Sequence, residues 1–269
     1  MGHGIAHAAL AAGYDTGLFD VSGAALDRAR VSIEQIVTRG VELGKISRDA
    51  ARSLLGHLTT TCDLAEAVAD ADFVIEAAPE RLDVKLALAA DVQRFAPTNA
   101  VIASNTSALS ITEMAGSLAN PARVAGMHFF NPVHKMKLVE IVQALESARD
   151  TLQTIEDVAR RMGKDTVLVR ESPGFITTRV NASIGNEAFY MLMEGVASAR
   201  DIDKALKLGL NHPMGPFELV DLVGLDTRLS ILEYLHRSLG EKYRPCPLLA
   251  QYVKAGRLGR KVGRGVYDY

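Results

Sequence analysis

The chain has 269 residues, 48% hydrophobic and 23% charged, with 22 Gly, 9 Pro and no Trp. These proportions exclude collagen-like, disordered and low-complexity classes. A formal net charge of -2 supplies no basic field for nucleic acid, and no uncharged apolar run reaches the ~18 residues of a membrane span. The two cysteines, Cys62 and Cys246, stand too far apart in sequence to read as a disulfide framework or a metal knuckle, and are expected to be packing residues in a reducing, cytoplasmic protein. Met1-Gly2-His3-Gly4 has neither the basic start nor the apolar run of a signal peptide. The length suggests two domains, and an enzyme.

In chain order, Gly4 to Gly13 reads as an Ala-rich helix, and Tyr14 to Asp20 as a strand ending in an acid. Ser22 to Leu43 has helical periodicity, and Ser47 caps another helix. Leu58 to Thr61 is a short edge strand. Phe73 to Ala78 and Ala100 to Asn105 are continuous apolar runs of strand length, as in buried parallel sheets. Asp83 to Phe95 lies between them with helical spacing, and Ser110-Ile111-Thr112-Glu113 is a capping box opening a further helix. Alternating strands and helices predict a doubly wound α/β sheet. Beyond Thr166 to Val169 and the Pro173-Gly174 break, only helical patterns follow: 175–195, 199–208, 216–223, 228–239 and 247–255. The boundary falls near Glu171, giving domains 1–171 and 172–269.

A dinucleotide-binding unit opens with a strand and a Gly-rich turn, and its second strand ends in an acid for the ribose hydroxyls. Here Gly2 occupies the third glycine of such a turn, and Asp20 follows at about the usual spacing, roughly 20 residues. The opening strand and the first two glycines are missing. Omitting a central strand removes backbone partners from two neighbours and amides from the diphosphate site, which implies a start placed at an internal methionine or a crippled domain.

Two segments carry chemistry. His128 ends one strand and Glu140 sits in the next, Lys137 to Val142. In an antiparallel hairpin turning about residue 134 the two face each other, close enough to hydrogen-bond. A carboxylate on an imidazole fixes its tautomer and stabilises the imidazolium formed on proton uptake, the arrangement of a general base. Ser104-Asn105-Thr106-Ser107 follows a buried strand at the end where open α/β sheets gather ligands. Glu80 and Lys85, taken alone, read as surface charges. His3 and His7 share a helix face but lack the neighbouring Glu of a zinc protease motif, so no metal is expected. The short Gly256 to Lys261 run is no nucleic-acid patch.

Seven stretches occur in order: Ser104-Asn105-Thr106-Ser107, His128-Phe129-Phe130-Asn131-Pro132, Leu138-Val139-Glu140, Pro173-Gly174-Phe175, Pro213-Met214-Gly215-Pro216, Leu222 to Asp226 and Gly263 to Tyr267. Together they resemble the 3-hydroxyacyl-CoA dehydrogenase family over essentially the whole chain, most of all its short-chain bacterial 3-hydroxybutyryl-CoA members. The resemblance implies a Rossmann-like NAD-binding domain, then an all-α domain that dimerises, with the acyl-CoA between them. His128 would be the base, Glu140 its orienting partner, and Ser107 a hydrogen-bond donor to the substrate oxygen. Gly2, Asp20, Glu80, Lys85, Asn105, Ser107, Asn131 and Lys261 would bind the cofactor. Asp20 would repel a 2′-phosphate and so favour NAD over NADP.

Two further departures stand beside the missing strand. Thr178 precedes Arg179 where many members have asparagine; its hydroxyl still donates to a carbonyl oxygen. Ile36 and Leu43 occupy positions at which some relatives contact the CoA nucleotide with Ser and Lys, so those contacts are not expected. The leading expectation is NAD-dependent oxidation of short (3S)-3-hydroxyacyl-CoA by a homodimer in fatty-acid metabolism. The alternative is a catalytically impaired acyl-CoA-binding or structural protein of the same fold, a reuse known in lens crystallins of this family. A dehydrogenase of the hydroxyisobutyrate kind ranks below both, because those enzymes resemble a different motif set.

Overall fold

The computed structural model describes residues 1–269 and divides into two compact units, Met1–Glu171 and Ser172–Tyr269. The first unit runs α1 (Gly2–Ala11), β1 (Thr16–Phe19), α2 (Gly23–Glu42), α3 (Arg48–Gly56), β2 (Leu58–Thr61), α4 (Leu64–Val68), β3 (Phe73–Glu76), α5 (Leu82–Phe95), β4 (Val101–Ser104), α6 (Ile111–Gly116), β5 (Val124–Phe129), β6 (Leu138–Gln143), α7 (Arg149–Arg161) and β7 (Asp165–Arg170). Side-chain caps start several helices: Ser22, Ser47 and Ser110 each accept a backbone N–H three residues on, which satisfies donors the helix itself leaves open.

Five strands form one sheet in the order β3-β4-β5-β6-β7, while β1 and β2 form a separate parallel pair. Within the larger sheet β3, β4 and β5 run parallel, β5 and β6 antiparallel, and β6 and β7 parallel. Every residue of β4 and β5 is buried, as the apolar run of β4 predicts for an interior strand. No strand precedes α1, and β1 and β3 belong to different sheets. Instead α1 links the two through side chains. Ile5 and Ala8 pack in the core of Val101, Met127 and Ile155, whereas Ala6 and Leu10 pack with Ile33 and Val37. Each fully buried Ile, Leu, Val or Met side chain there contributes about 1.5–3 kcal/mol. The expectation that both cysteines pack fails for Cys62, which is exposed; Cys246 is buried. Cys62 follows β2, which pairs with β1 alone.

The second unit is helical: α8 (Thr177–Met193), α9 (Ala199–Gly209), α10 (Pro216–Val223), α11 (Leu225–Leu239) and α12 (Pro247–Lys254). Phe189, Phe217, Leu225, Leu232 and Leu249 are wholly buried at its centre. Two buried acids organise it. Asp203 accepts the Phe217 and Glu218 amides at the start of α10 and the Tyr267 hydroxyl. Asp221 accepts the Val266 and Tyr267 amides and the Tyr269 hydroxyl, which seats the C-terminal tail. A Cβ at Gly215 would overlap Asp203, and one at Gly265 would overlap Asp221. Burial pushes the Asp203 carboxyl up, and burial beside Asp203 does the same to the Tyr267 phenol. Two of the motifs that carry the resemblance, Pro213 to Pro216 and Gly263 to Tyr267, therefore serve this packing.

Candidate active site

The antiparallel ladder of β5 and β6 pairs His128 with Glu140, the register expected from a turn about residue 134. Both side chains are buried, at 4% and 1% exposure, and His128 Nδ1 lies 2.8 Å from Glu140 Oε2. The Phe130 ring lies 4.5 Å from the imidazole, centroid to centroid, and keeps bulk water from that flank. A proton on Nδ1 serves the carboxylate and leaves the lone pair on Nε2, the state of a general base.

The loop joining these strands is held from two sides. Lys164, buried after α7, donates to the carbonyls of Val133 and Met136, and burial lowers its pKa. Gly4, in the first turn of α1, lies against Val133, where a Cβ would come within 3.1 Å. The start of α1 is thereby set against the hairpin tip that carries Asn131. Asn131 itself is exposed.

A second cluster occupies the carboxyl ends of β3 and β4. Asn105 donates its amide to the Glu76 carbonyl and accepts the Phe129 amide on Oδ1, both at 2.8 Å. This ties the Asn105 side chain to the residue after His128. Glu80 Oε1 accepts the Thr106 hydroxyl at 2.6 Å and the Ser107 amide at 2.8 Å. Ser107 is half-buried, with its amide held and its side chain in no intramolecular hydrogen bond. Lys85 is no surface charge: its side chain is 1% exposed and its Nζ lies 2.8 Å from buried Glu76 and 3.5 Å from Glu80. The surface reading fails because α5 turns Lys85 inward, beneath the end of β3.

The remaining expected residues fall into two groups. Gly2 opens α1, which no side chain caps, and a Cβ there would meet nothing nearer than 3.9 Å. Asp20 follows β1, and its Oδ1 accepts the Ser22 amide at 2.9 Å, leaving Oδ2 for a ligand. An open helix start and an adjacent carboxylate fit the diphosphate and adenosine ribose of a dinucleotide. Thr178 and Lys261 lie in the helical unit. Thr178 stands in the first turn of α8, and Lys261 bonds both Asp226 carboxylate oxygens, at 2.7 and 2.6 Å.

Sequence reasoning passed over Glu76 and Lys164. Glu76 is a lone charge ending β3 and Lys164 one just before β7, a weak signal that buried carbonyls and counter-charges alone make meaningful.

Comparison with known proteins places the chain first among NAD-binding dehydrogenases of two-domain construction. Residues 1–172 match the 3-hydroxyacyl-CoA dehydrogenase NAD binding domain, and residues 174–269 match that enzyme's C-terminal domain. The chain belongs to the 3-hydroxyacyl-CoA dehydrogenase family. It is 45% identical over 270 residues to a probable 3-hydroxybutyryl-CoA dehydrogenase of Bacillus subtilis, covering 100% of this chain and 94% of that one. It is 42% identical to a 3-hydroxybutyryl-CoA dehydrogenase of Bradyrhizobium diazoefficiens, covering 100% and 92%. The crystal structure of (S)-3-hydroxybutyryl-CoA dehydrogenase from Ralstonia eutropha superposes with a TM-score of 0.95 at 39% identity, covering 100% and 95%. No helix is long and apolar enough to cross a membrane.

Proposed function

We propose that this protein oxidises short-chain (3S)-3-hydroxyacyl-CoA, of 3-hydroxybutyryl-CoA size, to 3-oxoacyl-CoA, reversibly and with NAD, in the cytoplasm and in fatty-acid metabolism. The observation that carries the reading is the buried pair of His128 and Glu140, 2.8 Å apart in one hairpin. Bound NAD supplies the hydride acceptor for the hydrogen on C3. His128 takes the 3-hydroxyl proton on Nε2 as the C3–O bond becomes a carbonyl, and Glu140 stabilises the imidazolium that results. In the reverse direction the imidazolium returns that proton to the oxygen. Ser107 and Thr178 donate hydrogen bonds to the substrate oxygen and carbonyl. Gly2, Asp20, Glu80, Asn105, Asn131 and Lys261 hold the cofactor with Ser107, buried Lys85 acts through Glu80, and the Asp20 carboxylate disfavours a 2′-phosphate.

The helical unit exposes Val180, Leu208, Leu210, Leu222 and Val223, which supports a homodimer through that unit. Sedimentation giving only a 28.9 kDa species would rule the dimer out.

The test is oxidation of NADH on adding acetoacetyl-CoA. Sustained turnover supports the reading. A folded protein that binds acyl-CoA without turnover supports a second one, an acyl-CoA-binding scaffold.

A further inference from the structure

Glu76 is the last residue of β3 and is buried, with side-chain exposure of 4%. A carboxylate at that depth requires charge compensation and full hydrogen bonding. Its Oε1 accepts from Lys85 Nζ at 2.8 Å and from the Ala78 amide at 2.6 Å; its Oε2 accepts from the Ser104 hydroxyl at 2.5 Å. Two chains of contacts lead outward from these oxygens. Through Lys85 the first reaches Glu80, whose side chain is 44% exposed, and Glu80 grips the Thr106 hydroxyl and the Ser107 amide. Through Ser104 the second reaches the Thr106 amide, which donates to the Ser104 oxygen at 3.2 Å. Both chains converge on the turn 104–107, which follows β4, and the Glu76 carbonyl also takes the Asn105 amide.

We propose that Glu76 is a positioning residue of the dehydrogenase reaction, holding Glu80 through Lys85 and the 104–107 turn through Ser104, so that Asn105 and Ser107 meet their ligands in one fixed arrangement. The proposal rests on the dehydrogenase reading of this site. Its physical basis is the order of burial. Lys85, 1% exposed, is shared by one sunken carboxylate and one that reaches solvent. Neutralising the sunken partner leaves Glu80 as the sole counter-charge of Lys85. Glu80 is then drawn towards the ammonium and away from Thr106 and Ser107. A glutamine at 76 also places an N–H among groups that already donate.

The experiment compares Glu76→Gln, Glu76→Asp and Val37→Ala by NADH fluorescence titration, steady-state kinetics with acetoacetyl-CoA, and thermal melting. Val37 is a core residue of α2, outside this network, and serves as a control for general destabilisation. The Glu76→Gln protein should retain its helix content, with the NADH Kd raised at least fivefold and kcat lowered at least tenfold. Glu76→Asp, which keeps the charge, should recover most of both, and Val37→Ala should lower Tm with Kd unchanged. A folded Glu76→Gln protein within twofold of wild type in both constants overturns the proposal. If Glu76→Gln does not fold, Ser104→Ala, which cuts one chain alone, decides: kcat lowered about fivefold upholds it, and unchanged kcat overturns it. The titration reads NADH without turnover, so an inactive wild type sinks the dehydrogenase reading separately.

Discussion

His128 and Glu140 occupy directly opposed positions of β5 and β6, and their side chains meet at 2.8 Å in a pocket that admits almost no solvent. A glutamine at position 140 still accepts the Nδ1 proton but cannot stabilise a buried imidazolium. Glu140→Gln should lower kcat about 100-fold, within the range of lost general-base assistance, with the KM for NADH little changed. Activity within threefold of wild type would remove the pair from the mechanism.

Gly126 sits two residues before His128 on β5, where a Cβ would fall 2.7 Å from the Val142 Cβ. Both strands are wholly packed at that point, so neither can yield cheaply. Gly126→Ala should destabilise the protein by about 1–3 kcal/mol, seen as a lower denaturation midpoint. Adding Val142→Ala should restore part of the loss; a single substitution as stable as wild type would show that the hairpin gives way freely.

His7, on α1, has a buried Nδ1 without a hydrogen-bond partner, and its ring lies 6.3 Å from that of His134. Burial first, then the nearby charges of His134, Lys164 and His3, lower its pKa from 6.5 to about 4. Between those values the unfolded chain binds a proton that the folded chain refuses. Stability is therefore full above pH 6.5 and falls as pH drops towards 4. Melting curves at pH 7 and 4.5 should show a smaller decrease for His7→Gln than for wild type, and equal decreases would contradict the linkage.

Arg228 is buried in the helical unit beside Gly185, with Nε unpartnered and no carboxylate within ion-pair distance. Burial lowers its pKa to about 10. An apolar side chain of similar length relieves a desolvated charge, so Arg228→Met should raise stability by about 1–2 kcal/mol, read from denaturant midpoints. A loss of that size would refute the prediction.

Much of this was legible in the residues. The apolar run of β4 announced a buried parallel strand, whereas that of β3 belongs to an edge strand whose Phe73, Val74 and Ile75 are only half-buried; the serine caps marked where α2, α3 and α6 begin, and the purely helical spacing after Phe175 announced the second unit. The His128–Glu140 contact followed from strand alternation and one turn. Helix α7 is hard to read from its residues, although Thr151, Ile155 and Ala159 recur at four-residue spacing on its buried side. Its neighbours in sequence are polar and conceal the stripe.

What the sequence by itself determined is most of the elements, the hairpin register and the family, because periodicity, capping and turn geometry act between residues a few positions apart. The partnership of Glu76 with Lys85 and Ser104, the grip of Lys164 on the hairpin loop, and the seating of the C-terminal tail on Asp221 were decided by tertiary structure alone. In each, a buried charge is tolerated only where a separate segment of chain brings donors or acceptors to replace its water, and local spacing carries no record of which segment arrives.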